Sequence, residues 1–269
     1  MPFLMGIRWS FVFILLFNSA TAQDSLRIVK QFTPEQAIRS FTVDNHDNIY
    51  LLTRSRELVK YDAQFKWVGN HRNQVLGPLR QVDVTNPLQL LLFYAENAVL
   101  LQLDNMLYTT NRFEIGKLNL SENSLVCRSF DNNIWLYDAR EFRLRKLAND
   151  LRVVVEGEWL QNKLQTALSP NDFIESGERL YLNDPDLGIL VFDLYGAYLK
   201  TLPIKGQESI KVYQGKIYYN EGEKLFYYDT QSLQHHPISL PAAIQAKQFR
   251  VNRSGMWVFD GEQLFLLAP

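Results

Sequence analysis

The chain has one cysteine, Cys127, among 269 residues. A lone thiol excludes an intrachain disulfide. An excess of charge of one sign is missing too. The 28 basic and 29 acidic residues give a formal net of −1, which leaves no footprint for nucleic acid or another polyanion. Helical periodicity is nearly absent: Trp159 to Leu168 has room for a helical turn or two, and nothing else sustains an i, i+3, i+4 stripe. There is no G-x-S-x-G elbow, P-loop or H-E-x-x-H. With no disulfide to help, stability must come from a hydrophobic core, and a 13% aromatic content supplies material for one.

Long apolar runs are confined to the start. Met1 to Ala22 carries one charge, Arg8, then the apolar run Phe11 to Phe17, then Ala20-Thr21-Ala22. That order of positive end, short apolar stretch and small-x-small site predicts a secretory signal peptide over residues 1–22, cleaved before Gln23. The run is far shorter than the roughly 20 residues that span a bilayer. The expected product is a soluble exported chain of residues 23–269, periplasmic or extracellular, without membrane insertion. Removing Arg8 leaves 27 basic and 29 acidic residues, a net of −2.

What is present is a repeat. Phe41 to Asp62, FTVDNHDNIYLLTRSRELVKYD, reads as three strands joined by polar turns. The apolar-aromatic pair opening its second strand, Ile49-Tyr50, recurs as Leu92-Phe93, Ile134-Trp135, Leu180-Tyr181, Ile217-Tyr218 and Met256-Trp257, at steps of 43, 42, 46, 37 and 39. A second landmark closes the third strand as Tyr61-Asp62, Leu103-Asp104, Phe192-Asp193 and Tyr228-Asp229, with Leu144-Arg145 and Leu266-Leu267 in the remaining places. Room for one more strand follows each copy but the last. Four strands at this period describe a propeller blade. The last copy has three, and Ser25 to Phe32 alternates ahead of the first full repeat. The expected fold is therefore all-β, a six-bladed propeller of four-stranded antiparallel blades at about 38–73, 79–115, 123–157, 171–204, 208–240 and 247–269. Residues 25–32 complete the last blade and close the ring, which removes two open sheet edges. Trp159 to Asn171 is read as a long connection between the third and fourth blades.

The segment V-D-N-H-D-N-I-Y at Val43 to Tyr50, followed by L-V-K-Y-D at Leu58 to Asp62, resembles the NHL-type and TolB-like six-bladed propeller repeats. Asp47 stands where those repeats usually have glycine. The resemblance covers one repeat well and the other five as strand landmarks, so it speaks to fold more than to function.

Hydrolases and lactonases with six blades usually hold a divalent metal on the ring axis, and this resemblance implies a competing enzymatic reading. On the expected innermost strands the acidic or amide candidates are Asp83, Asp172, Glu175 and Asn252. Arg80, Arg128, Lys211 and Arg250 share those strands, so a channel of mixed charge is expected, with no metal or cofactor. His235 and His236 are adjacent on a strand and point to opposite faces, which prevents them from sharing one ion. Cys127, beside Leu125 and Val126, is expected to be buried. Asn119-Leu120-Ser121 and Asn252-Arg253-Ser254 match the glycosylation acceptor pattern. The aspartates that end the third strands are expected to accept backbone hydrogen bonds in the following turns.

Functional residues belong where the copies differ. The turns between second and third strands supply Arg54, Arg56, Glu96, Asn97, Arg140, Glu141, Asp184, Asp186, Glu221 and Glu223, with arginines on the first and third blades and carboxylates on the fourth and fifth. Such a face suits a protein or peptide partner of complementary charge.

Overall fold

The computed structural model describes residues 26–118 and 120–269. The expected signal peptide, Ser25 and the acceptor Asn119 lie outside the described residues. Six four-stranded antiparallel sheets make a six-bladed β-propeller. The first blade consists of Ile38–Val43, Ile49–Thr53, Glu57–Tyr61 and Trp67–Arg72. The innermost strands of the next five are Gln81–Asp83, Leu125–Arg128, Asp172–Ser176, Lys211–Tyr213 and Gln248–Asn252. In the long connection after the third blade, Leu160–Leu164 forms a short helix that buries Leu160.

The sixth blade is completed by Arg27–Phe32, which pairs antiparallel with Leu264–Ala268 in the register Phe32↔Leu264. The closing strand is held by more than its ladder. The Phe32 ring lies 4.9 Å from both Tyr61 and Phe65 of the first blade, and Lys30 Nζ donates to the Ala63 carbonyl at 3.2 Å. One short strand thus joins the last blade to the first.

The apolar-aromatic pairs explain how blades stack. Successive residues of a strand point to opposite faces of the sheet, so the second residue of each pair faces the following blade. Tyr50 packs with Leu90 and Leu92, Phe93 with Val126 and Leu136, Trp135 with Phe173 and Leu180, Tyr181 with Ile217 and Tyr219, and Trp257 with Ile38 and Phe41. All five are buried. Burial of each large ring contributes about 2–3 kcal/mol by area, which is how a chain without disulfides holds its blades together.

The strand-ending aspartates shape turns, as their recurrence predicts. Asp62 Oδ1 accepts from the amides of Gln64 and Lys66, Asp104 from Met106 and Tyr108, and Asp193 from Tyr195 and Ala197. Asp47 occupies the left-handed region, φ 62°, a conformation that favours glycine. Its carboxylate gives a reason for the exchange. Asp47 accepts from Asn252 Nδ2 at 2.8 Å and Ser254 Oγ at 2.7 Å, clasping the first blade to the sixth. Asn252 also donates to the Asp44 carbonyl and is buried. It is therefore inaccessible as a glycosylation acceptor.

Candidate binding face and central channel

A channel of about 600 Å³ runs down the axis between the innermost strands. The four acidic or amide candidates of those strands serve the blade seams. An innermost strand has no ladder partner on its axial side, so its amides need side-chain acceptors. Asp83 Oδ2 accepts from the Arg128 amide at 2.7 Å, and Gln81 does the same for Val126 at 2.8 Å. Glu175 takes the Ser129 hydroxyl at 2.7 Å and the Phe130 amide at 2.9 Å. Asp172 accepts from Lys211 Nζ at 3.0 Å and from the Ile210 amide at 3.3 Å. Among the described residues, no three His, Cys, Asp or Glu side chains come together in a metal-binding group.

The cations of the channel are distributed unevenly. Arg128 is buried and donates to the carbonyls of Asn132 and Gln89. Burial lowers the Lys211 pKa against the opposing pull of Asp172, and neighbouring Arg250 lowers it further. Arg250 lies over the Phe41 ring at 5.2 Å and donates to the Phe249 carbonyl; desolvation brings it down to about 10. Cys127 is 3% exposed, and burial, with Asp83 and Glu175 nearby, raises its thiol pKa well above the ordinary value. Buried packing accounts for it. Of the two adjacent histidines, His235 approaches the Tyr219 hydroxyl at 2.5 Å while His236 stacks on Tyr227 at 4.8 Å on the other face of the sheet.

The turns between second and third strands gather at one end of the ring, since all six blades run in the same sense. Arg54, Arg56, Glu96, Asn97, Arg140, Glu141, Asp186, Glu221 and Glu223 are exposed there. Asp184 differs: it is 1% exposed, and its carboxylate accepts from the amides of Ser169, Asp186 and Leu187. It builds the turn that presents Asp186. Glu141 lies 3.7 Å from Arg143.

Three arginines on strand ends join the two of the first blade. Arg39 begins that blade, Arg72 ends it and Arg80 leads into the next; all are exposed on this face, and among the described residues none of the five forms an ion pair. Glu208 before the fifth blade and Glu262 on the turn of the sixth, the first blade's neighbour, extend the carboxylates of Asp186, Glu221 and Glu223. The sixth-blade turn carries no repeat landmark beyond its strands, Arg39 and Arg72 lie at strand ends, and Arg80 leads into one, so differences between turn sequences pass over all of them. The left-handed backbone of Arg56, φ 65°, recurs at Ala98 and Phe142 in the same turn of the next two blades and belongs to the turn.

No known sequence family matches the chain, and no curated protein does. Solved structures share the fold. A catalytically inactive histidine-to-alanine variant of virginiamycin B lyase from Staphylococcus aureus, with quinupristin, aligns at a TM-score of 0.63 and 8% identity, covering 91% of this chain and all (100%) of the other. The BBS1N propeller in complex with ARL6DN aligns at 0.59 and 10%, covering 90% and 96%. The Cps50 (Swd1) propeller of Myceliophteria thermophila aligns at 0.57 and 9%, covering 91% and 99%. These structures share a propeller and differ in function, one a lyase and another half of a protein complex. At such identities the likeness is one of fold.

Proposed function

We propose that the protein is an exported, non-catalytic binding module that holds another protein of the envelope or extracellular space on its charged loop face. The observation that carries this reading is the division of that face. Arg39, Arg54, Arg56, Arg72 and Arg80 stand exposed about the first blade, and Asp186, Glu208, Glu221, Glu223 and Glu262 about the fourth to sixth, where Lys205, Lys224 and Lys247 are exposed among them. A rigid ring that offers both signs of charge in fixed places selects partners by electrostatic complementarity. Protein binding by the BBS1N propeller is a precedent on this fold. Export rests on the composition of residues 1–22.

The competing reading, a metal-assisted hydrolase or lactonase in the channel, is disfavoured by the seam duties of Asp83, Asp172, Glu175 and Asn252.

The test is affinity capture from the native envelope fraction with wild-type bait and with Arg54→Glu/Arg56→Glu bait of equal thermal stability. Proteins retained by the first and released by the second are the expected result. Equal retention by both baits, or stoichiometric divalent metal in the purified protein with a chelator-dependent loss of stability, would overturn the reading.

A further inference from the structure

One of the six blade seams is built differently from the rest. Five of the six landmark aromatics are buried against the next blade, and the sixth, Tyr218, is only half-buried. It lines a cleft of about 840 Å³ between the fifth and sixth blades. The strand pairing differs there as well. In five blades the outermost strand carries a one-residue bulge at the same place, at Val68, Thr110, Val154, Leu199 and Val29. The fifth blade, with Gln234–Ile238 outermost, pairs without a shift. Its preceding turn is longer instead: the left-handed residue Leu233 comes four positions after Asp229, whereas Phe65, Leu107 and Gly196 come three after Asp62, Asp104 and Asp193. A bulge adds local twist. The cleft lies in the seam of the one blade that lacks it.

The exposed wall is an aromatic row. Tyr218, Tyr227 and His236 are cross-strand neighbours, with Tyr218 and Tyr227 centroids 5.8 Å apart. Met256 and Leu267 of the sixth blade form the opposite wall. Lys216 and Arg253 are its charged side chains and, among the described residues, no aspartate or glutamate side chain lines the cleft; Leu26 and Pro269, near the two ends of the chain, line it as well. Asp229 is the register partner of Lys216, but its carboxylate accepts from the amides of Gln231 and Ser232. The Lys216 ammonium instead lies 4.6 Å over the Tyr227 ring, at the edge of the aromatic surface.

We infer that this cleft is a binding site for a small planar, largely apolar molecule carrying an anionic group, its ring laid on the Tyr218–Tyr227 wall and its charge on Lys216 and Arg253. The volume falls within the range of small-molecule sites, and aromatic walls with a few polar groups at the rim are their usual composition. The cleft opens beside the turns that join first to second strands, Gln214 and Arg253-Ser254 among them, which is the end of the ring opposite the charged loop face. A ligand here and a protein partner there bind independently.

Two dyes that differ by one group test this on the full chain: anilinonaphthalene sulfonate and its neutral parent phenylnaphthylamine, titrated by fluorescence. The expected result is saturable one-to-one binding of the sulfonate and weaker binding of the neutral dye. Lys216→Gln weakens the sulfonate about fivefold, as for one half-exposed ion pair, without changing the neutral dye. Tyr227→Ala weakens both, and Arg54→Glu on the other face changes neither. Equal affinity for the two dyes, non-saturable binding, or an unchanged sulfonate affinity in Lys216→Gln would overturn the inference. Lys216 is at the rim, so that variant remains informative even if Tyr227→Ala fails to fold.

Discussion

Asp47 combines an unfavourable backbone with two hydrogen bonds across the seam between the first and last blades. Asp47→Ala keeps the strain and loses the clasp. It should destabilise the protein by about 2–3 kcal/mol, read as a lower denaturant midpoint at unchanged slope. Asp47→Gly removes both the strain and the clasp and should cost less. The tyrosines offer a second residue-level check. Burial pushes Tyr94 up to about 12, and burial with the nearby Glu221 carboxylate does the same for Tyr219. Tyr50 is raised further, by burial and by the Asp44 carboxylate to which its hydroxyl donates at 3.0 Å. A phenol whose folded pKa exceeds its unfolded value stabilises the fold fully below the ordinary tyrosine value of about 10 and loses that contribution as pH rises toward the folded value. Spectrophotometric titration should therefore show one group of phenols ionising near pH 10 and a second group only with alkaline unfolding. Ionisation of every tyrosine in a single step would contradict the packing described.

At the scale of elements, the strands were legible because two landmarks recurred at blade spacing, and because the three-stranded last repeat matched a spare strand at the front. Ring closure through Arg27–Phe32 follows that arithmetic. The register of the strands was less legible, since Ile49 pairs with Tyr61 but Leu92 with Leu101, Ile134 with Leu147 and Met256 with Leu267, which puts Leu103, Leu144 and Leu266 out of step. The closing strand's grip on the first blade was not legible, since it depends on Phe32 meeting Tyr61 and Phe65 across the seam. Phe32→Ala should cost about 2–3 kcal/mol, more than its half-buried state alone suggests, because the ring joins two blades. Equilibrium unfolding measures it, and an unchanged midpoint would show that the ring does not depend on this strap. The missing bulge of the fifth blade was equally hidden. One residue moved from strand to turn leaves the spacing of landmarks almost unaltered, while it removes the bulge from the blade that borders the cleft.

For the whole molecule, the sequence located most of the charged face but misread one member and overlooked others. Asp184 looked like a surface acid because it lies in a variable turn, yet three backbone amides claim its carboxylate. Arg39 and Arg72 were overlooked because they occupy strand ends, where a pattern of alternation hides an exposed side chain, and Arg80, expected as a channel cation, lines the channel mouth just before its strand. The channel acids were visible as residue types, and their use at the seams required the geometry of neighbouring blades. The central claim is that recognition occurs on the loop face and not in the channel. Hydrogen-exchange mass spectrometry of the protein with its captured partner tests that most directly. The account predicts protection concentrated at residues 53–57, 95–98, 139–142, 185–187 and 222–224, with no change in the innermost strands. Protection confined to the innermost strands, or to the turns at the opposite end of the ring, would contradict it.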